Sequence, residues 1–228
     1  MNRIKILLFL LLAFTSVKGQ IHEIGIFLGG SNYIGDVGPT TYVAPDEFCF
    51  GIMYKWNKSP RHSWRFSYNQ AKITSSDLNS SSPGRLQRGL NFENNIKEVS
   101  LGLEFNFFDF NLHSIDPKIT PYVYSGISYF AYDELFYIAD EQKTDYRNGA
   151  LAIPMTIGVK ATLLKHLILG AEVGARYTMS DNLDGSNPTN KILAPLKFGD
   201  INSNDWYVFS GITLTYTFGE QPCYCVHK

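Results

Sequence analysis

Eight segments of the chain alternate apolar and polar residues with a period of two, at 21–33, 46–56, 62–74, 96–109, 119–132, 150–163, 167–178 and 205–219. That period puts successive side chains on opposite faces of an extended strand, so each segment predicts a strand with two unlike faces. In the seventh, Leu167, Leu169, Ala171, Val173, Ala175 and Tyr177 oppose Gly170, Glu172, Gly174, Arg176 and Thr178. In the fourth, Val99, Leu101, Leu103, Phe105 and Phe107 oppose Glu98, Ser100, Gly102, Glu104 and Asn106. The sixth and eighth read the same way. The fifth has tyrosines on both faces and leaves its orientation open. β-Branched and aromatic residues with recurrent glycine argue against helices in these segments.

The connections alternate in length. Those at 34–45, 75–95, 133–149 and 179–204 are long, and those at 57–61, 110–118 and 164–166 are shorter. Long and short loops at opposite ends, with both termini at the short-loop end, are the plan of an outer-membrane barrel. The polar faces carry Gly102, Gly158, Gly170, Gly174 and Gly211. A solvated face has no need of them, whereas the crowded interior of an eight-stranded barrel does. The predicted fold is therefore all-β: an eight-stranded antiparallel transmembrane outer-membrane β-barrel over 20–219, closed because lipid offers no partner to a free edge. A soluble ligand-binding barrel is the rival reading.

Composition narrows the function. With 18% charged residues, 14% aromatics and a net charge of −1, neither a disordered chain nor a nucleic-acid partner is indicated. Three cysteines make no disulfide scaffold. Arg3 and Lys5, the apolar run Ile6 to Phe14, and Val17 and Gly19 before Gln20 predict a signal peptide over 1–19. Export would carry the chain into an oxidising compartment.

Candidate chemistry is sparse. His22, His62, His113, His166 and His227 all fall at the short-loop end or in the tail, and their spacing has no metal-ligand pattern. They read as turn and interface residues. The long loops hold Ser and Asp but no His to activate a nucleophile. No catalytic residue, metal or cofactor is expected, and the chain reads as a non-enzyme. Arg65, Glu104, Lys160, Glu172 and Arg176 should point inward. They could line an ion path, but stranded charge is costly, so a mutually neutralising plug is favoured, with Glu172 and Arg176 drawing partners such as Glu104, Lys160 or Arg65. Phe218 should close the last strand as the outward terminal aromatic that marks a strand for barrel insertion. Beyond it, 220–228 form a tail with Cys223 and Cys225. One intervening residue makes a strained ring of that pair. Either these thiols bond another chain, or they stay free or mutually paired.

Several stretches also carry a resemblance. They are Glu23 to Gly38 (EIGIFLGGSNYIGDVG), Leu101 to Phe108 (LGLEFNFF), Gly174 to Tyr177 (GARY) with Asp181 to Gly185 (DNLDG), and Asn204 through Gly219 to Pro222-Cys-Tyr-Cys225. The sequence resembles the PorG family, the outer-membrane barrel component of the Bacteroidetes type IX secretion system. The resemblance implies a non-enzymatic role in protein export, and in surface gliding where the species glides. It implies an outer-membrane location with extracellular loops and a periplasmic tail. The implied partners are outer-membrane lipids, the periplasmic ring of the lipoprotein PorK with PorN, and other secretion-system barrels. The ring lipoprotein is the implied partner of Cys223 and Cys225. Two rivals stand beside it: a generic small barrel for envelope stability or solute passage, and a lipid-modifying barrel enzyme.

Overall fold

The computed structural model describes residues 21–112, 117–200 and 203–219. The expected signal peptide, His113, His227, Cys223 and Cys225 lie outside the described residues. Eight antiparallel strands pair in chain order and close on themselves. They are β1 (Ile21–Ile34), β2 (Glu47–Asn57), β3 (His62–Ser76), β4 (Asn91–Asn106), β5 (Ile119–Ile138), β6 (Glu141–Leu164), β7 (Leu167–Thr178) and β8 (Trp206–Phe218). Closure comes from β1 against β8, with His22 opposite Phe218 and Ile34 opposite Trp206. The first residues of β1 and the last of β8 thus share one end, here called the inner end.

The faces are arranged for lipid outside and polar groups inside. Ile157 is 66% exposed on the outer wall, while Glu104 is fully buried in the interior. A water-soluble barrel would reverse this order. The fifth strand, ambiguous in sequence, turns Tyr122, Tyr124, Phe130 and Tyr132 inward and leaves Tyr129 outside. Glycines make room for those rings. A Cβ on Gly158 would stand 2.6 Å from Cζ of Tyr122, and one on Gly102 would stand 2.8 Å from Cε2 of Tyr124.

Three expected boundaries are corrected. The segment 133–149 is not a long loop. Strands β5 and β6 run on past it and join through Ala139 and Asp140, both at positive φ, in a two-residue hairpin turn. The alternation fails there because the register shifts between Asp133 and Leu135, which puts Glu134 and Leu135 both inside. Strand β4 begins at Asn91 rather than 96, because 91–95 lie beyond the apolar belt and need no apolar outward residues. It ends at Asn106, not 109. The third connection therefore shrinks to 77–90, built of a 3-10 turn at Asp77–Asn79 and a short helix α1 (Pro83–Arg88). The seventh connection, 179–205, stays long, with a 3-10 turn at Lys191–Leu196.

Candidate functional site

The inner part of the barrel holds four carboxylates, Glu23, Glu98, Glu104 and Glu172, and four cations, Lys55, Arg65, Lys160 and Arg176, all buried. Strand alternation aims each of them inward. Arg65 grips Glu172 with two bonds of 2.7 Å, and the Tyr122 hydroxyl donates to the same carboxylate at 2.5 Å. Glu104 receives Lys160 at 2.5 Å and Lys55 at 2.7 Å. Arg176 meets Glu98 at 3.2 Å, and Glu98 also accepts from Tyr207 at 2.7 Å and Asn69 at 2.8 Å. Glu23 is held by Asn57 and Thr215, each at 2.8 Å. The layer is neutral and its charges are met by opposite charges or hydrogen bonds, which is what burial demands. The Phe110 ring closes the space from the inner end, with the Lys160 ammonium 5.0 Å from its centroid.

Arg65, Glu104, Lys160, Glu172 and Arg176 are thus all inside. The structure joins Arg65 to Glu172 and Lys160 to Glu104, and it gives Arg176 to Glu98, which sequence reasoning had not assigned to the network. Lys55 and Glu23 were missed, and Glu98 was placed on the polar face of its strand but left out of the network, although each sits at an inward position of its own strand. Alternation alone could have found them.

Above this layer the interior becomes apolar. Phe27, Cys49, Ile73, Ile96, Phe130 and Phe209 fill the barrel, and Val37, Leu90 and Leu183 from three different connections pack on top. Three buried aspartates clip those connections together. Asp77 accepts from Arg88 at 2.7 and 2.9 Å, from the Gly38 N–H at 2.9 Å and from the Leu90 N–H at 3.1 Å. Asp184 accepts from the Val37 N–H at 3.1 Å and the Ser186 N–H at 2.9 Å. Asp205 accepts from the Leu183 N–H at 2.9 Å and from the Tyr33 hydroxyl.

These carboxyls differ in their electrostatics. Burial pushes Asp77 up, but the Arg88 side chain and the two backbone N–H donors outweigh it and hold the group below its usual range. Burial raises Asp184, against the opposing hydrogen bonds of Ser186 and Tyr33. Asp205 is raised well above its usual value by burial and by the neighbouring Asp184 charge. Burial takes Asp181, near the surface, to about 6. The contrast follows from the arginine bonded directly to Asp77, whereas Asp184 feels Arg88 only at longer range and neither it nor Asp205 has an arginine bonded to it among the described residues.

The described histidines stay at the inner end. His22 stacks between Tyr54 and Phe218, with centroids at 5.8 and 5.6 Å, and His166 lies 5.8 Å from Tyr216. Phe218 ends β8 with its ring outward. Among the described residues no group of His, Cys, Asp or Glu could hold a metal ion. Cys49 is a buried free thiol.

Residues 2–227 match the family described as a domain of unknown function, DUF6089. The chain belongs to this family. No curated protein matches the sequence. Among solved structures, the DUF6089 chain is similar to the N-terminal β-barrel domain of Pseudomonas aeruginosa OprF, at 11% identity and a TM-score of 0.46, covering 88% of this chain and 98% of that one. It is similar to Neisserial surface protein A, at 9% identity and 0.46, covering 88% and 98%. It is also similar to Ail of Yersinia pestis, at 9% identity and 0.44, covering 89% and 100%. The fold of the DUF6089 barrel itself rests on its strand pairing.

Proposed function

We propose that this chain is an outer-membrane barrel that works as a non-enzymatic anchor or adaptor of the type IX secretion machinery, with extracellular loops and a periplasmic tail that meets the ring of PorK and PorN. The observation that carries the reading is the filled lumen. Four acids face four bases, Phe110 stands below them, and an apolar core stands above. Such an interior offers no route for a folded cargo, so the barrel acts through its surfaces. Partner identity comes from the sequence resemblance. Against an enzyme in the outer loops stands the placement of His22, His62 and His166, all at the other end.

Affinity isolation from solubilised outer membranes through a tag after Lys228 tests the partner. Recovery of the ring lipoprotein is expected. A barrel recovered alone, with export of type IX cargo intact in a deletion strain, would favour a generic envelope barrel. If Cys223 or Cys225 bonds the ring, non-reducing gels will show a high-mass band that vanishes in the Cys223→Ser, Cys225→Ser double variant and persists in Cys49→Ser. Reconstituted protein should show no large stable conductance in planar bilayers, and such a conductance would overturn the filled-lumen argument.

A further inference from the structure

The turn between β2 and β3 carries an open pocket of about 480 Å3, lined by Lys58, Ser59, His62, Trp64 and Leu103. Its level in the membrane follows from its neighbours. Trp64 pairs across the strands with Trp56, and both lie on the outward face near the inner end. Indole rings settle where hydrocarbon meets headgroups, because one edge is apolar and the N–H seeks a polar partner. Lys58 and His62 stand just beyond that pair, in the headgroup layer.

The pocket is divided by chemistry. Trp64 and its cross-strand partner Leu103 form the side toward hydrocarbon. Lys58, Ser59 and His62 form the side toward water. The turn is fixed: the Lys58 and Ser59 N–H groups donate to the His62 carbonyl at 3.1 and 3.2 Å, and Ser59 Oγ accepts the His62 N–H at 3.0 Å. His62 Nδ1 lies 3.2 Å from Ser59 Oγ, which leaves Nε2 as the nitrogen that can meet a phosphate oxygen. The neighbouring cation is already used, since Arg61 is paired with Asp109 at 2.5 Å. Lys58 has no carboxylate partner among the described residues.

We infer that this pocket binds the headgroup of an anionic glycerophospholipid of the inner-end leaflet. Lys58 supplies the charge, the His62 Nε2–H supplies a further hydrogen bond to the phosphate while the Ser59 hydroxyl donates to Nδ1 and orients the ring, and Trp64 with Leu103 receives the glycerol and first methylenes. The inference rests on the membrane-barrel reading and deepens it by naming one lipid contact.

The test uses the full chain refolded in mild detergent, equilibrated with equal amounts of phosphatidylglycerol and phosphatidylcholine, and analysed by native mass spectrometry. Phosphatidylglycerol should be retained in preference. Lys58→Ala with His62→Ala should lower its retention by about fivefold or more, the scale expected for a basic residue at an anionic lipid surface. Lys58→Arg should keep it, and Lys191→Ala in the outer connection should leave it unchanged. Equal retention of the two lipids, or an undiminished signal in the double variant, overturns the site. Displacement of the lipid by inorganic phosphate would reveal a simple anion site and overturn the lipid assignment. A heat-dependent shift on SDS gels reports the folded barrel separately. Its absence in the wild type would sink the barrel reading, and its presence beside failed lipid retention would sink only the pocket.

Discussion

The two halves of the barrel interior are filled by opposite means. The inner half is a lattice of charges joining strands far apart in sequence, such as Arg65 with Glu172 across 107 residues. The outer half is an apolar core roofed by loops, whose buried carboxyls accept backbone N–H groups. The first half ties strand to strand across a lumen within the lipid-facing wall. The second ties loop to loop beyond it. The difference teaches that ionic and apolar filling solve different problems here. Pairs of opposite charge satisfy one another where no water need enter, and single acceptor oxygens suffice where free backbone donors must be met.

The largest effect should come from breaking the inner lattice on one side only. Arg65→Met leaves Glu172 without its two-bond partner and removes the third of the cations around Glu104, 3.8 Å away. The folded barrel should lose about 3–5 kcal/mol in urea unfolding from micelles. Arg65→Met with Glu172→Met removes both charges and should recover most of that loss. Additive losses in the double variant would show that the pair is not the unit of stability.

That pair also marks where sequence reading stopped. The period of two said which side chains face inward, and so located Arg65, Glu104, Lys160, Glu172 and Arg176. It could not say who meets whom, because partners such as Arg176 and Glu98 sit on β7 and β4 and meet only through the barrel's curvature and register. The outer half was less legible still. There the wall stands clear of lipid, so outward positions such as Asn91, Glu93 and Asn95 are polar and the alternation fades. At Glu134 and Leu135 the register shift puts two neighbours inside together. The aspartates that clip the loops looked like ordinary loop residues. Their meaning lies in N–H groups that only the folded chain brings to them, those of Gly38 on Asp77 and Val37 on Asp184 coming from another connection.

The outer half has its own breaking point. Leu183 is fully buried although it lies in the connection 179–205. Leu183→Ala should weaken the roof by about 2–4 kcal/mol through the cavity it opens. The loss should be local. Amide exchange should speed up around 181–187 and 36–38, while the amides of β7 and β8 below stay protected. Uniform loss of protection through the barrel would mean that the two halves fold as one unit and that the comparison is too sharp.

The smallest effect, and the one that separates the halves most cleanly, is the pH dependence of the roof. Asp184 and Asp205 are both raised in the folded state, by burial and, for Asp205, by the charge of Asp184. Tyr33 lies between them as a hydrogen-bond partner, and Asp36 and Asp181 add negative charge nearby. A raised carboxyl holds its proton in the folded state at a pH where the open loop, with an ordinary value near 4, has lost it. The folded state then binds more protons than the open one, so roof stability falls as pH rises above 4 toward the folded values. Each unit of difference is worth about tenfold in the opening equilibrium. Exchange of the Leu183 and Ser186 amides, corrected for intrinsic rates, should therefore show greater protection at pH 5 than at pH 8. Asp77, held low by Arg88, works in the other direction only at more acidic pH. Asp205→Asn removes one of the two charges. Its Oδ1 can still accept the Leu183 N–H, and its Nδ2 can donate to the Tyr33 hydroxyl oxygen, so the roof keeps its bonds while the pH slope shrinks. A slope of the opposite sign in the wild type, or one unchanged in Asp205→Asn, would show that these two carboxyls do not govern the roof.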